Sequence, residues 1–313
     1  MKVLITGASG FIGSHLAQLL LSKGLTVIAI YQSHLLRVKH PQLIAVQKNL
    51  KQEGIQAELD SYKPDCLIHA AAINPAVSVP QSQIDFHQFN HQVSMRLIEE
   101  FLSYAEGNQS SGVKKLINLS TYEIYGQCES LDGHGMSAAL NPLTEYARSK
   151  AETHQVIESI NGSNALLINA VCSNNYGAWQ SQEKLIPAVV DNIINKQPIN
   201  LYGDGSSTRT WTHVQDTCEG LFRVVLNGAR RKYHLCSEFD ASVETIVDKL
   251  QHLMLLKNVI DQKQAISFQE TKFNPTFKMN NQETVNDLKW RATIDLDTGL
   301  SATLDHLLGV HEK

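Results

Sequence analysis

The chain reads KVLITGASGFIGSHLAQLLL from Lys2 to Leu21, which predicts a buried strand, a tight glycine turn and a helix in direct succession. The apolar run Val3–Ile5 is typical of a strand that is covered on both faces of a parallel sheet. Three glycines follow at the spacing G-x-x-G-x-x-G, and the apolar residues after them recur at helical spacing. Because glycine has no side chain, a pyrophosphate can approach such a turn and meet the free N–H groups of the helix. The stretch therefore predicts a dinucleotide-binding site, with contacts from Gly7, Gly10, Phe11, Ile12 and Gly13; the alternative is a turn that only joins strand to helix.

Composition narrows the classes of partner. The 313 residues are 42% hydrophobic and 19% charged, which is typical of a globular protein with a sizeable core. The net charge of -4 and a pI near 6.3 provide no basic field for nucleic acid or an anionic membrane. No apolar run reaches the length of a membrane span, and the first residues predict a strand, so we expect no leader segment. We therefore expect a cytoplasmic protein that binds small molecules, with neither nucleic acid nor a membrane as partner.

Cysteine and histidine spacing argues against a disulfide frame and a metal site. The five cysteines are odd in number, scattered, and never in C-x-x-C spacing, so we expect reduced packing residues. His87 and His91 are four apart on a predicted helix, the spacing of two metal ligands, but no third ligand is recognisable. We predict helix-surface histidines and no bound metal.

Strands and helices alternate through the first half of the chain. Further apolar strand candidates are Thr26–Ile30, Leu43–Val46, Asp65–Ala70, Lys115–Leu119 and Ala165–Ala170. The segments between the later ones read as amphipathic helices, which predicts an α/β protein with a Rossmann-type, doubly wound parallel sheet. We assign this NAD(P)-binding domain to residues 1–173. Residues 174–313 are predicted to form mainly a smaller mixed α/β substrate lobe, from which the chain crosses back to the sheet.

The end of the second predicted strand bears on the choice of cofactor. In NAD-binding Rossmann folds an acidic residue at this point usually binds the ribose hydroxyls, but here the position is Tyr31. Arg37 lies close by and could pair with the 2′-phosphate of NADP. A solvated basic loop is an equally good interpretation, so the cofactor is predicted to be NAD or NADP.

Two segments carry the chemistry, STYEIYG at Ser120–Gly126 and YARSK at Tyr146–Lys150. The first follows a predicted strand, so its polar residues emerge at the carboxyl end of the sheet, where ligands bind in such folds. Tyr146 and Lys150 are four apart and share a helix face. An ammonium group beside a phenol favours the phenolate, so Tyr146 could act as a base, with Thr121 orienting the same substrate hydroxyl. An ordinary amphipathic helix would explain the Tyr146–Lys150 spacing alone.

These motifs, together with HAAA at His69–Ala72, NNYG at Asn174–Gly177 and YGDG at Tyr202–Gly205, resemble a known family over nearly the whole chain. The resemblance is to the extended short-chain dehydrogenase/reductase family, the NAD(P)-dependent nucleotide-sugar epimerases and dehydratases. SNNYGAWQSQEKLIP, Ser173–Pro187, is similar in particular to the dTDP-glucose 4,6-dehydratase branch.

The resemblance implies a mechanism and two sets of contacts. Tyr146 would remove the proton of the sugar C4 hydroxyl while C4 passes a hydride to the nicotinamide, with Thr121 and Lys150 as supporting residues. Further cofactor contacts would come from Tyr31, Arg37, Asn49, Leu50, Ala70, Ala71, Asn90, Tyr146 and Lys150. The nucleotide-diphosphate sugar would be held by Thr121, Asn174, Lys184, Leu185, Tyr202 and Arg209.

The chain departs from the dehydratase branch at one residue of its catalytic motif. That branch carries Thr-Asp-Glu, in which Glu takes the C5 proton and Asp helps to protonate the leaving C6 hydroxyl. Here the sequence is Thr121, Tyr122, Glu123, and a phenol is a far weaker proton donor near neutral pH. The segment Ile73–Val79 also lacks the histidine and aspartate usual in that branch. Glu123 is therefore either a catalytic residue or a structural one.

Three functions are compatible with these residues. We expect oxidation or reduction at C4 of a nucleotide-diphosphate sugar, as an epimerase or ketoreductase. A 4,6-dehydratase that uses Glu123 is the alternative enzyme, and a dinucleotide-binding protein without catalysis is the alternative outside enzymes. By the same resemblance we expect a homodimer that pairs through the helices Ile84–Ala105 and Glu145–Ile160, unless these are buried within one chain.

Overall fold

A computed structural model describes residues 1–75, 84–108, 112–161, 164–271 and 273–311. Its strands are β1 (Lys2–Thr6), β2 (Thr26–Tyr31), β3 (Leu43–Gln47), β4 (Cys66–His69), β5 (Lys114–Thr121), β6 (Ala165–Cys172), β7 (Asn174–Tyr176), β8 (Ile199–Tyr202), β9 (Thr208–His213), β10 (Lys232–Leu235), β11 (Asp240–Ser242) and β12 (Ile266–Gln269). Its α-helices are α1 (Phe11–Ser22), α2 (Gln56–Tyr62), α3 (Val93–Gly107), α4 (Glu145–Ser159), α5 (Leu185–Ile194), α6 (Val214–Asn227), α7 (Val243–Leu256), α8 (Gln282–Leu288) and α9 (Leu296–His311). Shorter turns are π-helical at His87–Gln92 and 3₁₀ at Tyr122–Tyr125.

Seven strands form one sheet in the order β3-β2-β1-β4-β5-β6-β10, and each neighbouring pair runs parallel. The order reverses between β1 and β4, where Thr6 pairs with Ile30 on one side and with His69 on the other. In doubly wound folds this switch point opens a crevice at the carboxyl ends of the strands. The predicted fold class is confirmed, and the sheet directs the glycine turn into that crevice.

Separate apolar clusters cover the two faces of the sheet. On one face α1 and α6 contribute Leu16, Leu20 and Leu221, all fully buried. On the other face α3 contributes Leu97 and Phe101. Coverage on both faces explains why the central strands read as continuous apolar runs and not as alternating ones.

The second lobe has its own sheets and core. β9 lies between β7 and β11, parallel to the first and antiparallel to the second, and β8 pairs in parallel with β12. Helices α5, α7 and α9 share an apolar cluster that includes Val190, Leu250 and Leu304. The chain also returns to the main sheet, because β10 pairs with β6 and α6 packs on α1. The division at residue 173 itself stays a prediction.

The long helix predicted at Ile84–Ala105 begins later than expected and starts with a π-helical turn. The Asp85 carboxylate accepts the N–H of Gln88 at 2.8 Å, so Asp85 caps the helix and residue 84 stays outside it. The helix ends at Gly107, and residues 76–79 of the segment after HAAA lie outside the described residues.

The helices predicted to pair in a homodimer lie against each other within one chain. His87 Nδ1 contacts Glu152 at 2.8 Å, and His91 Nδ1 contacts the Thr153 hydroxyl at 3.1 Å. The two histidines thus bridge to α4, and within the described part of the chain no three metal-ligating side chains come together. The homodimer stays a prediction.

Two further sequence expectations concern the cysteines and membrane-spanning helices. The five cysteines are all buried and free, as predicted. Among the helices of the described ranges, none has the length and apolar character that crossing a membrane requires.

Candidate active site

The glycine turn after β1 is built so tightly that two of its positions accept no side chain. Gly7 has φ +70°, and a Cβ there would lie 2.7 Å from the backbone nitrogen of Ala71. A Cβ on Gly13 would lie 2.1 Å from the Gly7 carbonyl oxygen. The strand, the turn and α1 therefore approach one another at backbone distance, which is the cradle that a dinucleotide diphosphate needs. The residues present fit the predicted cofactor.

A cavity of about 310 Å³ opens above this turn at the switch point of the sheet. Its walls come from the turn, the end of β2 and the segment after β4. Among the predicted cofactor residues, the lining includes Gly7, Gly10, Phe11, Ile12, Gly13, Tyr31, Leu50, Ala70 and Ala71. Sequence reasoning missed Ser9, Lys48, Phe89 and Leu119, which also line it; of these, Leu119 could have been found as the residue before STYEIYG.

Five predicted cofactor residues lie outside this lining: Tyr146 and Lys150 on α4, and Asn49, Asn90 and Arg37. Asn49 uses its side-chain oxygen to accept the N–H of Lys51 at 3.1 Å. Asn90 is buried and holds both the N–H and the carbonyl of Ile73, at 2.8 and 2.9 Å. Arg37 is exposed and donates to the Ser9 carbonyl at 3.4 Å. Asn90 thus fixes Ile73, whose neighbours Ala72 and Asn74 line the cavity, and Arg37 reaches the turn from outside.

A buried histidine fixes the segment after β4. His69 Nδ1 contacts the Thr6 hydroxyl at 2.7 Å, and its Nε2 contacts the Ser94 hydroxyl at 2.8 Å. The Thr6 oxygen in turn accepts the N–H of Ala71 at 3.3 Å. Burial, with the charge of Lys150, lowers the pKa of His69 to about 3, so the ring is neutral. Through Thr6, the His69 ring holds in place the backbone at Ala71, which faces the glycine turn.

The predicted catalytic residues converge at the carboxyl ends of β5 and β6. Thr121 pairs with Cys172 across these strands, and the 3₁₀ turn that carries Glu123 begins directly after it. The Thr144 hydroxyl caps α4 by accepting the N–H of Ala147 at 3.1 Å, which puts Tyr146 in the first turn of that helix.

The predicted catalytic pair on α4, Tyr146 and Lys150, is almost fully enclosed. Tyr146 and Lys150 are 8% and 4% exposed, and the Tyr146 ring meets Phe86 edge-on at 5.9 Å between centroids. The Lys150 charge reaches both Cys172 and His69. Lys150 is therefore within electrostatic reach of the end of β6 and of the end of β4.

Burial changes the proton affinity of Lys150 and Tyr146. It lowers the pKa of Lys150 to about 8. Burial, with the charges of Glu123 and Cys172, raises the pKa of Tyr146 well above its ordinary value. We expected the neighbouring ammonium to favour the phenolate. Within the protein burial dominates instead, so the Tyr146 hydroxyl is protonated at neutral pH.

Glu123 lies within electrostatic reach of both halves of the site. Burial raises the pKa of its carboxyl group, against the opposing charges of Arg209 and Lys184, and its own charge acts on Tyr146. It thus links the Thr121–Tyr146 group to cationic residues of the second lobe.

Tyr122 occupies a mostly apolar environment. Its side chain is 5% exposed, and its ring packs against Phe277. Burial raises its pKa well above the ordinary value for tyrosine, although the Arg209 charge opposes the shift. A phenol with a raised pKa is a still weaker proton donor than an exposed one.

A second cavity, of about 650 Å³, opens in the second lobe. Three predicted substrate residues line it: Leu185, Tyr202 and Arg209. Arg209 stacks on Phe277 at 4.9 Å from the ring centroid and donates to the Pro275 carbonyl. Lys184 donates to the Pro75 carbonyl at 3.3 Å, and Asn174 begins β7. Asn192, Gln269 and Phe273 also line the cavity, and no sequence motif marked them.

Solved structures share this architecture at low sequence identity. A dTDP-glucose 4,6-dehydratase from Bacillus anthracis, in complex with NAD, superposes with a TM-score of 0.85 at 23% identity, covering 100% of this chain and 98% of that one. A UDP-glucose 4-epimerase from Thermotoga maritima, with UDP-glucose, superposes with a TM-score of 0.87 at 18% identity, covering 99% of this chain and 100% of that one. These likenesses show the fold.

Sequence relatives and the family model identify the group. A probable dTDP-glucose 4,6-dehydratase from Sinorhizobium fredii is 26% identical, with 98% of this chain and 93% of the relative covered. Residues 3–236 match the model of the NAD dependent epimerase/dehydratase family. The predicted resemblance is confirmed, and with it the predictions of an enzyme and of a nicotinamide dinucleotide cofactor, for which the family description names NAD. This chain belongs to the NAD dependent epimerase/dehydratase family.

Proposed function

We propose that the protein oxidises or reduces C4 of a nucleotide-diphosphate sugar, as an epimerase or a ketoreductase. The observation that carries this proposal is the environment of Tyr122. At the position where a dehydratase motif has an acid, this chain has Tyr122, a buried phenol that packs against Phe277. Burial raises the pKa of Tyr122 above the ordinary value for tyrosine. A reaction confined to C4 needs no acid there, whereas loss of the C6 hydroxyl does.

Each catalytic side chain has a role that follows from its surroundings. Tyr146, protonated within the protein, gives its proton to the C4 oxygen during reduction and takes it back during oxidation. Thr121 orients the same oxygen, and Lys150 holds the nicotinamide ribose. NAD, when bound, supplies the hydride acceptor or donor at C4 and, in its oxidised form, a positive ring charge that favours the Tyr146 phenolate.

The second lobe would hold the nucleotide. Arg209 and Lys184 bring positive charge to the side of the site that faces Glu123, which suits a diphosphate. The cavity lined by Leu185 and Tyr202 has the size of a small-molecule site.

A 4,6-dehydratase is the second candidate, and one observation favours it. Burial raises the pKa of Glu123 toward the range in which a carboxylate is an effective general base. Relatives named dTDP-glucose 4,6-dehydratase support the same reading. In this version Glu123 removes the C5 proton, and a water or Tyr122 replaces the missing acid.

A substrate panel separates the two candidates. The protein is incubated with dTDP-, UDP-, CDP- and GDP-hexoses, and with 4-keto sugars plus NADH or NADPH, and products are followed by NMR. We expect inversion at C4 or reduction of the 4-keto group, absent in Tyr146→Phe. A 4-keto-6-deoxy product formed without added reductant would overturn the proposal in favour of the dehydratase.

A further inference from the structure

Trp179 has a backbone conformation that bulky residues rarely adopt. Its φ is +66°, in the left-handed region, and it follows Gly177 and Ala178 in the loop after β7. Such a conformation persists in a non-glycine residue only where the surroundings hold it in place, and it often marks a functional constraint. The contacts of the indole ring show what that constraint is.

The indole joins three segments from both lobes. The His15 ring, on α1, stacks on it at 4.4 Å between centroids, and His15 Nε2 contacts the Ala178 carbonyl at 2.8 Å. His306, on α9, meets it edge-on at 6.5 Å. The Arg37 guanidinium lies over the ring at 5.7 Å from the centroid. Trp179 is therefore a point of contact between the loop after β2 and the second lobe.

Arg37 connects this cluster to the cofactor cavity. Its guanidinium donates to the carbonyl of Ser9, which lies in the glycine turn and lines the cavity. At the end of β2 the lining is Tyr31, Gln32, Ser33 and His34, so that no carboxylate competes for the guanidinium or repels a phosphate. A guanidinium stacked on an indole keeps its N–H edges free for an anion.

We propose that Trp179 is a positioning residue that holds Arg37 at the mouth of the cofactor cavity, where Arg37 pairs with a phosphate group of the dinucleotide. The second lobe thereby contributes to cofactor affinity through a residue that does not line the cavity. The phosphate is either the diphosphate, common to NAD and NADP, or the 2′-phosphate of NADP. The inference depends on cofactor binding alone and is independent of the sugar and of the reaction.

Titration of the cofactor-free protein with NAD and with NADP, followed by calorimetry, tests this role. Trp179→Gly removes the ring at a φ that glycine adopts freely, so the backbone is relieved and not strained. We expect Trp179→Gly and Arg37→Gln each to raise Kd about tenfold, the size of one charge-assisted hydrogen bond. Trp179→Phe keeps a ring under the guanidinium, so its Kd should stay within about threefold of that of the unmodified protein. The double variant should bind no more weakly than Arg37→Gln alone, because both changes remove one interaction.

Two controls separate positioning from simple stabilisation. At pH 8, where His306 is neutral and does not repel the Arg37 guanidinium, His306→Leu removes an edge contact of the same indole, so it should lower thermal stability while leaving Kd unchanged. Arg223→Gln removes an exposed arginine of α6 and should change neither.

The two cofactors identify the phosphate. Equal losses for NAD and NADP indicate the diphosphate, and a loss confined to NADP indicates the 2′-phosphate; either supports the proposal. An unchanged Kd for both cofactors in Trp179→Gly overturns it. So do additive losses in the double variant, since independent effects would exclude positioning through Arg37.

Discussion

The ring of Tyr122 packs against that of Phe277, with the centroids 5.5 Å apart and the planes inclined at 49°. The Arg209 guanidinium lies over the Phe277 ring, 4.9 Å from its centroid. Tyr122 thus belongs to a small aromatic and cationic stack at the junction of the two lobes. Its hydroxyl group has a raised pKa because the side chain is buried.

If Tyr122 is a packing residue, Tyr122→Phe keeps kcat nearly unchanged, because the ring contact with Phe277 remains. A phenol that donates a proton in the reaction would instead cost about 10²-fold or more. Tyr122→Asp buries a second carboxyl group beside Glu123 and should lower the free energy of unfolding by about 2 kcal/mol. Steady-state rates and urea unfolding measure the two effects. A large loss of kcat in Tyr122→Phe would contradict the C4-only proposal.

Tyr146→Phe should lower kcat by about 10²- to 10⁴-fold while leaving the Kd for NAD unchanged, since it removes only the hydroxyl to which we assign the proton transfer. The edge contact with Phe86 survives, so folding is preserved. Tyr125→Phe is the matched control: Tyr125 lies in the STYEIYG segment and is also buried, but its hydroxyl contacts His234 at 2.7 Å. Comparable losses of kcat in both variants would remove Tyr146 from the proton transfer.

Gly13→Ala tests the backbone cradle. The new Cβ would lie 2.1 Å from the Gly7 carbonyl oxygen, so α1 must shift from the turn. We expect a loss of about 1–3 kcal/mol in the free energy of unfolding, with a higher Kd for NAD. Gly107→Ala is the control, because a Cβ there meets nothing within 4 Å and the helix end gains up to about 1 kcal/mol. Unchanged NAD affinity in Gly13→Ala would mean that this turn is not the cofactor cradle.

Stability should fall with decreasing pH because buried histidines are neutral in the folded protein. Burial lowers the pKa of His234 to about 3, well below the value of about 6.5 in an unfolded chain. Between these values the unfolded state binds more protons than the folded state. The stabilisation from the neutral His234 is therefore complete above pH 6.5, and the free energy of unfolding falls by about 1.4 kcal/mol per pH unit below it.

Urea unfolding of His234→Asn between pH 6.5 and 4.5 measures that contribution. Its slope of stability against pH should be shallower than that of the unmodified protein by about 1.4 kcal/mol per unit. His252→Asn, at an exposed position of α7, controls for the histidine-to-asparagine change itself. An unchanged slope in His234→Asn would show that this ring titrates normally when folded.

The local pattern of residues was enough to predict the central strands of the sheet and the glycine turn. β1, β2, β5 and β6 occur where apolar runs predicted them, within two residues at each end, because burial on both faces requires such runs. The helix predicted from Ile84 was less accurate at its start, since the Asp85 cap depends on one side-chain contact. The short strands of the second lobe were not predicted, because three or four residues carry too little periodicity.

By itself the sequence determined which residues can do chemistry and in which order they occur: a glycine turn, then Thr121, then Tyr146 with Lys150 on one helix face. Only the tertiary structure decided their environment. The enclosure of Tyr146 raises its pKa where the adjacent ammonium predicted the opposite, and Arg37 lies over Trp179, a residue 142 positions later in the chain. Desolvation and long-range stacking depend on what the rest of the fold brings alongside a residue, and no local pattern encodes that.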